Sequence, residues 1–128
     1  MPTIDARTGK LISGVAEAFQ TIEIALATQK GTRIMRRYFG AERVVFVDRG
    51  IHKGNLIDFY AEIAEVFKLE PRLRMTVVKL STDSDPANGH ALFDTEAVYY
   101  PRGHLGDFST AVTLKGSFTW ADPGPIMV

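Results

Sequence analysis

Side chains capable of acid–base or metal chemistry are thinly spread in this sequence of 128 residues. His52, His90 and His104 fall in segments that read as loops, far apart and without the close spacing of metal ligands. Two carboxylates facing each other across a cleft can hydrolyse a glycoside, one as acid and one as nucleophile or base. Glu62, Glu65 and Glu70 lie on or just past one predicted helix, and Asp83 and Asp85 in a predicted loop. Nothing in their spacing sets any pair across a cleft, and each reads as part of a solvated face. Gly50-Ile51-His52-Lys53-Gly54-Asn55 lacks the strand–loop–helix setting and the GK[ST] ending of a phosphate-binding loop. There is no nucleophile elbow or dinucleotide fingerprint. With no cysteine there is no thiolate or disulfide chemistry. The residues read as those of a non-enzyme, with no catalytic set, no metal site and no cofactor.

Two charged features remain. Arg33, Arg36 and Arg37, with Arg43 further on, make the one basic cluster, and Tyr38 and Phe39 adjoin it. Arginine beside aromatics invites nucleic acid, through phosphate contacts and base stacking. Fifteen basic and fifteen acidic residues cancel, however, so no overall field supports that role. A solvated face, or a surface meeting acidic neighbours in a complex, fits better.

The second feature is Glu70-Pro71-Arg72. Proline lacks an N–H and disfavours helical geometry at the residue before it, so a helix running into Glu70 stops there. Residues two apart in an extended chain point the same way, which sets Glu70 and Arg72 on one side of the corner. A partly solvated ion pair there would add little stability. A preset pair of opposite charges could instead dock another subunit. Local chemistry alone favours the first.

The elements that carry these features follow from periodicity. Residues 1–12 read as an ordered arm or a short edge strand around Leu11-Ile12. Ser13 offers an N-cap to a helix whose apolar face is Val15, Ala18/Phe19, Ile22 and Ala25/Leu26, with Gly31 as its stop. Gly31–Gly40 reads as a short helix capped by Thr32, and Val44–Val47 as a buried strand or core segment. Asn55 caps the second long helix, with Asp58 favourably placed at its positive end. Its stripe is Leu56, Phe59/Tyr60, Ile63 and Val66/Phe67.

From Arg72 the period becomes two, with Leu73, Met75 and Val77 on one side. Ser81–Gly89 is a surface loop, and a strand lies within Leu92–Tyr100. Phe108, Thr110, Val112 and Leu114 alternate cleanly, and Ser117–Trp120 extends that strand past Gly116. The expected architecture is α+β: N-terminal helices packed on a small antiparallel sheet from the C-terminal half. Residues 1–128 form a single domain, with 1–12 and 121–128 as extended arms. No segment has the length of a membrane span or a signal peptide, which points to synthesis in a cytoplasm.

In this order the signals resemble the W-protein-like family of small baseplate wedge proteins from contractile-tailed phages, related to a baseplate subunit of type VI secretion machines. Ala6-Arg7-Thr8-Gly9-Lys10 is similar to the family's TRTG-type start. Ala27-Thr28-Gln29-Lys30-Gly31-Thr32-Arg33 resembles its T-x-x-G-[ST/E]-R turn, and Arg36-Arg37-Tyr38-Phe39-Gly40 its R-x-[YF]-G element with an extra aromatic. Glu70-Pro71-Arg72 matches its most characteristic tripeptide. The likeness spans residues 6–80 and thins beyond them.

The resemblance implies a structural subunit of the virion's tail baseplate, made in the host cytoplasm and present in six copies around the tail axis. It implies that the subunit joins the core bundle of the larger wedge subunits to the first ring of tail sheath protein, helping sheath assembly to begin. It assigns Glu70 and Arg72 to intersubunit pairing and Pro71 to holding them at the corner. Sheath arms would add strands to an exposed sheet edge. No membrane or nucleic acid is implied. Some relatives have been described as lysozymes, so a tail-associated peptidoglycan-cleaving enzyme is the alternative, and a small nucleic-acid-binding module a weaker one.

Overall fold

The computed structural model describes residues 2–42, 52–85 and 91–119. Arg43, the Val44–Val47 run, His90 and the 121–128 tail lie outside the described residues. The fold is α+β, with two long helices and an antiparallel sheet in the C-terminal half.

The chain opens with a hairpin of β1 (Thr3–Ile4) and β2 (Leu11–Ile12). Its turn explains the Arg-Thr-Gly signal. Asp5 accepts hydrogen bonds from the Arg7 amide at 2.9 Å and the Thr8 hydroxyl at 2.8 Å. Gly9 takes a left-handed φ of 71°, which glycine adopts without a Cβ penalty. Helix α1 (Val15–Ala27) holds the hairpin: Gln20 donates to the Ile4 carbonyl and accepts from the Ala6 amide, and Arg7 pairs with Glu23.

Helix α1 buries Ala18, Phe19, Ile22, Ala25 and Leu26, the stripe read from the sequence. Its ends differ from expectation. Gly14, not Ser13, is the N-cap, and no side chain caps the first turn. The helix stops at Ala27, before Gly31, because Thr28 turns extended (φ −96°, ψ 130°). From there the chain enters a loop whose base is a parallel bridge between Gln29 and Ala41.

Helix α2 (Leu56–Phe67) buries Phe59, Ile63, Val66 and Phe67. Asn55 precedes it but does not cap it with its side chain. The Asn55 oxygen accepts from the His52 amide at 3.0 Å, closing the preceding turn instead. Beyond Phe67 the chain continues in tightened turns, ending with the Glu70 amide donating to the Phe67 carbonyl at 3.3 Å. Pro71 then forces the exit.

Strands β3 (Leu73–Leu80), β4 (Leu92–Tyr99) and β5 (Val112–Thr119) form one antiparallel sheet with β4 in the middle. Alternate residues of β4, Phe93, Thr95, Ala97 and Tyr99, are buried on the core side. Strand β3 corrects the period-two reading. A bulge between Met75 and Val77 inserts one extra residue, so the phase flips: Val77 is exposed, while Val78 and Leu80 pack against the core. Strand β5 starts at Val112 rather than Phe108. The Phe108 ring leaves the alternation to meet Tyr100 edge-on, 5.2 Å between centroids. Gly116 does not interrupt β5; it pairs with Thr95. Core side chains from α1, α2 and the sheet's inner face form one cluster.

Candidate functional site: a buried charge corner beside an apolar cleft

Glu70-Pro71-Arg72 sits where α2 hands the chain to β3. Glu70 and Arg72 are 5% and 9% exposed, so the pair is buried rather than partly solvated. Arg72 Nε donates to Glu70 Oε1 at 2.8 Å and Nη2 to Oε2 at 3.1 Å, a bidentate fork. The Arg72 backbone N–H also donates to Glu70 Oε1, at 3.2 Å. The remaining guanidinium nitrogen, Nη1, reaches Glu17 Oε2 on α1 at 3.3 Å. Hydrogen bonds to Glu70 and, less strongly, Glu17 hold the Arg72 pKa above its usual value against the opposing effect of burial. One guanidinium thus ties α1, the end of α2 and the start of β3 together.

Pro71 lies between the two charges and is exposed. Its carbonyl is approached so closely by Gly103 that a Cβ there would sit 2.7 Å from it. Gly103 belongs to a short 3-10 turn, Gly103–Leu105, which crosses over the corner. The Arg72 carbonyl accepts from the Tyr100 amide at 2.7 Å, stitching the same crossing. On the outer side lies an open cleft of about 490 Å³, walled by Phe67, Leu73, Met75 and Phe108 with Pro71 at its rim. Arg74 lines it too, its guanidinium 4.2 Å from the Phe108 ring centre and 5.5 Å from that of Tyr100. Arginine over an aromatic face gains cation–π attraction, so this wall is ordered as well as apolar.

The sequence singles out the tripeptide but misses what completes it. Glu17, Gly103 and Phe108 come from distant segments, while Arg74 follows two residues after Arg72 on β3. Of the four, only the glycine signals its purpose, by breaking the strand pattern after Pro101. The basic cluster lies elsewhere in the chain. Arg33, Arg36 and Arg37 occupy the Gln29–Ala41 loop, which is a run of turns and not the expected short helix. The reason is local: the loop closes on itself through Lys30 N–H to Ala41 carbonyl at 3.0 Å and Ala41 N–H to Thr28 carbonyl at 2.9 Å, bonds a continuous helix could not make.

The other chemical candidates stay apart. Glu62 accepts from the Glu42 amide, Glu65 pairs with Lys68, and Glu70 is held by Arg72. Glu70 is the one carboxylate among the described residues lining the cleft. His52 is tied up with its own turn, accepting from the Gly54 amide at Nδ1, and His104 lies in the 3-10 turn. Among the described residues no three His, Cys, Asp or Glu side chains gather as a metal site, and no helix is long and apolar enough to cross a membrane.

No protein-family model matches the chain, and no curated protein matches it. Solved structures do. The chain is similar to a chain of the postcontracted Pyocin R2 baseplate, with 29% identity and a TM-score of 0.64 over 78% of this chain and 99% of that one. It is similar as well to a protein from Geobacter sulfurreducens described as a tail lysozyme, with 28% identity and a TM-score of 0.61 over 86% of this chain and 95% of that one. Together these likenesses support a place for the chain among the baseplate proteins of contractile tails.

Proposed function

We propose that the chain is a non-catalytic wedge subunit of a contractile-tail baseplate, joining the core bundle of larger wedge subunits to the first sheath ring. The observation that carries this reading is the likeness to the Pyocin R2 baseplate chain, which extends over nearly the whole of that chain. In this reading the subunit stands in six copies around the tail axis and presents a free sheet edge to sheath arms. The buried Glu70–Arg72 pair shapes the corner, while exposed Pro71 and the apolar wall beside it meet the neighbouring subunit. Fixing that corner before docking reduces the ordering cost of association.

Purified tail particles should contain the chain at the baseplate end. Pro71→Ala and Phe108→Ser, both at exposed positions on the cleft, should yield tailless or sheathless particles while the isolated chain still folds. Normal infectious particles from both variants would remove the corner's docking role. The likeness to the Geobacter protein favours a second reading, a tail-associated peptidoglycan-cleaving enzyme. Clearing of a bacterial cell-wall suspension by the purified chain, lost in Glu62→Gln or Glu70→Gln, would establish that reading in place of the first.

A further inference from the structure

The Gly31–Gly40 loop presents three large apolar side chains to solvent within five positions: Ile34 at 80%, Met35 at 92% and Tyr38 at 60% exposure. Single exposed apolar residues are ordinary; three on one short loop with a rigid base are not. The base is closed by the Thr28–Ala41 and Lys30–Ala41 bonds. Gly40 is wedged against it, since a Cβ there would stand 2.6 Å from the Thr28 carbonyl. A second closure lies higher up. The Gly31 amide donates to the Arg37 carbonyl at 3.0 Å, and the Arg37 guanidinium donates back to the Gly31 carbonyl at 3.3 Å. At the tip Met35 is left-handed, φ 72°, the one non-glycine residue with positive φ among those described. Such a conformation costs energy and persists only where its surroundings impose it.

The charges on the loop are equally ordered. The Arg33 and Arg36 guanidinium carbons lie 4.4 Å and 4.7 Å from the centre of the Phe39 ring, which is itself buried. Arg36 also lies 5.7 Å from the Tyr38 ring centre. Among the described residues none of Arg33, Arg36 and Arg37 has a carboxylate partner. Stacking orders a guanidinium plane while leaving its N–H edge free for the bidentate carboxylate recognition that arginine makes best.

We propose that this loop is a docking knob, separate from the corner, that inserts Ile34, Met35 and Tyr38 into an apolar recess of another protein rimmed by aspartate or glutamate. Tyrosine, methionine and arginine are the residues enriched in interface cores, and a rigid loop loses little freedom on binding. Nucleic acid fits less well. Phe39 is covered by the arginines and cannot stack on a base, and Ile34 and Met35 offer nothing to a phosphate. The inference rests on the loop's own geometry and holds whether or not the chain works in a tail.

The test is site-specific photo-crosslinking in the cells that make the chain. Benzoylphenylalanine replaces Met35 or Tyr38, with exposed Ile57 on α2 as the control position. The expected adducts at positions 35 and 38 join the chain to an acidic, apolar segment of a different protein. Arg33→Glu with Arg36→Glu should lower their yield about tenfold or more, and a lysine in place of an acidic residue of the captured segment should restore it. Arg36→Gln, a milder change, gives the same direction if the double variant melts early. Adducts to nucleic acid or to a second copy of the chain, no adduct at either position, or a yield indifferent to the arginines would overturn the proposal.

Discussion

Arg72 holds Glu70 through two parallel hydrogen bonds, Nε–Oε1 at 2.8 Å and Nη2–Oε2 at 3.1 Å, although the two residues are separated only by Pro71. The proline makes this geometry available by turning the chain out of the tightened turns that follow α2 and into β3. Removing one partner leaves a buried charge unpaired, which costs far more than the pair contributes. Arg72→Ala should therefore destabilise the chain by about 3–5 kcal/mol in urea unfolding. Replacing both partners, Glu70→Leu with Arg72→Met, should recover most of that loss. If the double variant also assembles into normal particles, the pair serves the fold alone and Pro71 with its cleft carries the docking.

The loop base offers a second measurement. Gly40 and Gly31 both have positive φ, 118° and 86°, but only at Gly40 would a Cβ collide with backbone. Gly31→Ala should cost about 1–2 kcal/mol, the penalty of a left-handed non-glycine residue. Gly40→Ala carries the same strain and the clash with the Thr28 carbonyl, so its urea midpoint should fall further. Equal midpoints would contradict the close approach.

The bulge in β3 makes a contrast between neighbours. Uninterrupted alternation would bury Val77, yet it is exposed and Val78 packs on the core. Val77→Ala should stay within about 0.5 kcal/mol of the parent, as exposed substitutions do. Val78→Ala should cost more. Phe93 sets the upper end of the scale: it is fully buried, with ring centroids 6.1 Å from Phe59 and 6.2 Å from Tyr60. Phe93→Ala should cost about 3–5 kcal/mol.

The hairpin turn carries an acid-sensitive contact. The Arg7 amide, then the Thr8 hydroxyl, hydrogen-bond the Asp5 carboxylate and hold its pKa below the usual 3.8. A carboxylate depressed in the folded state adds stability above its unfolded pKa, and that contribution fades as pH falls through the lower folded value. The Asp5 turn should thus be intact at neutral pH and loosen only below about pH 4. Amide exchange at Gly9, whose N–H donates to the Asp5 carbonyl at 2.9 Å, reports the loosening. Asp5→Asn should abolish the pH dependence of the protection at Gly9, taken relative to the intrinsic exchange rate at each pH.

The helical stripes, the change from helical turns to strand at Pro71 and the turn signals at Thr8-Gly9 were legible because each rests on local chemistry: side-chain period, a missing N–H, a tolerated left-handed φ. The α+β order followed from those alone. Helix α2 itself ends earlier than expected, at Phe67 and not at Glu70. What the sequence could not supply was every relation between segments far apart in the chain. The Gln29–Ala41 bridge ended α1 before Gly31 and kept the next stretch from becoming a helix. The bulge reversed half of β3. Glu17 reached Arg72 from α1, and Gly103 closed over Pro71 from beyond β4. A tripeptide that by spacing alone looked like a solvated ion pair became a buried strut, because desolvation is decided by what packs around a charge and not by the charge's neighbours in sequence.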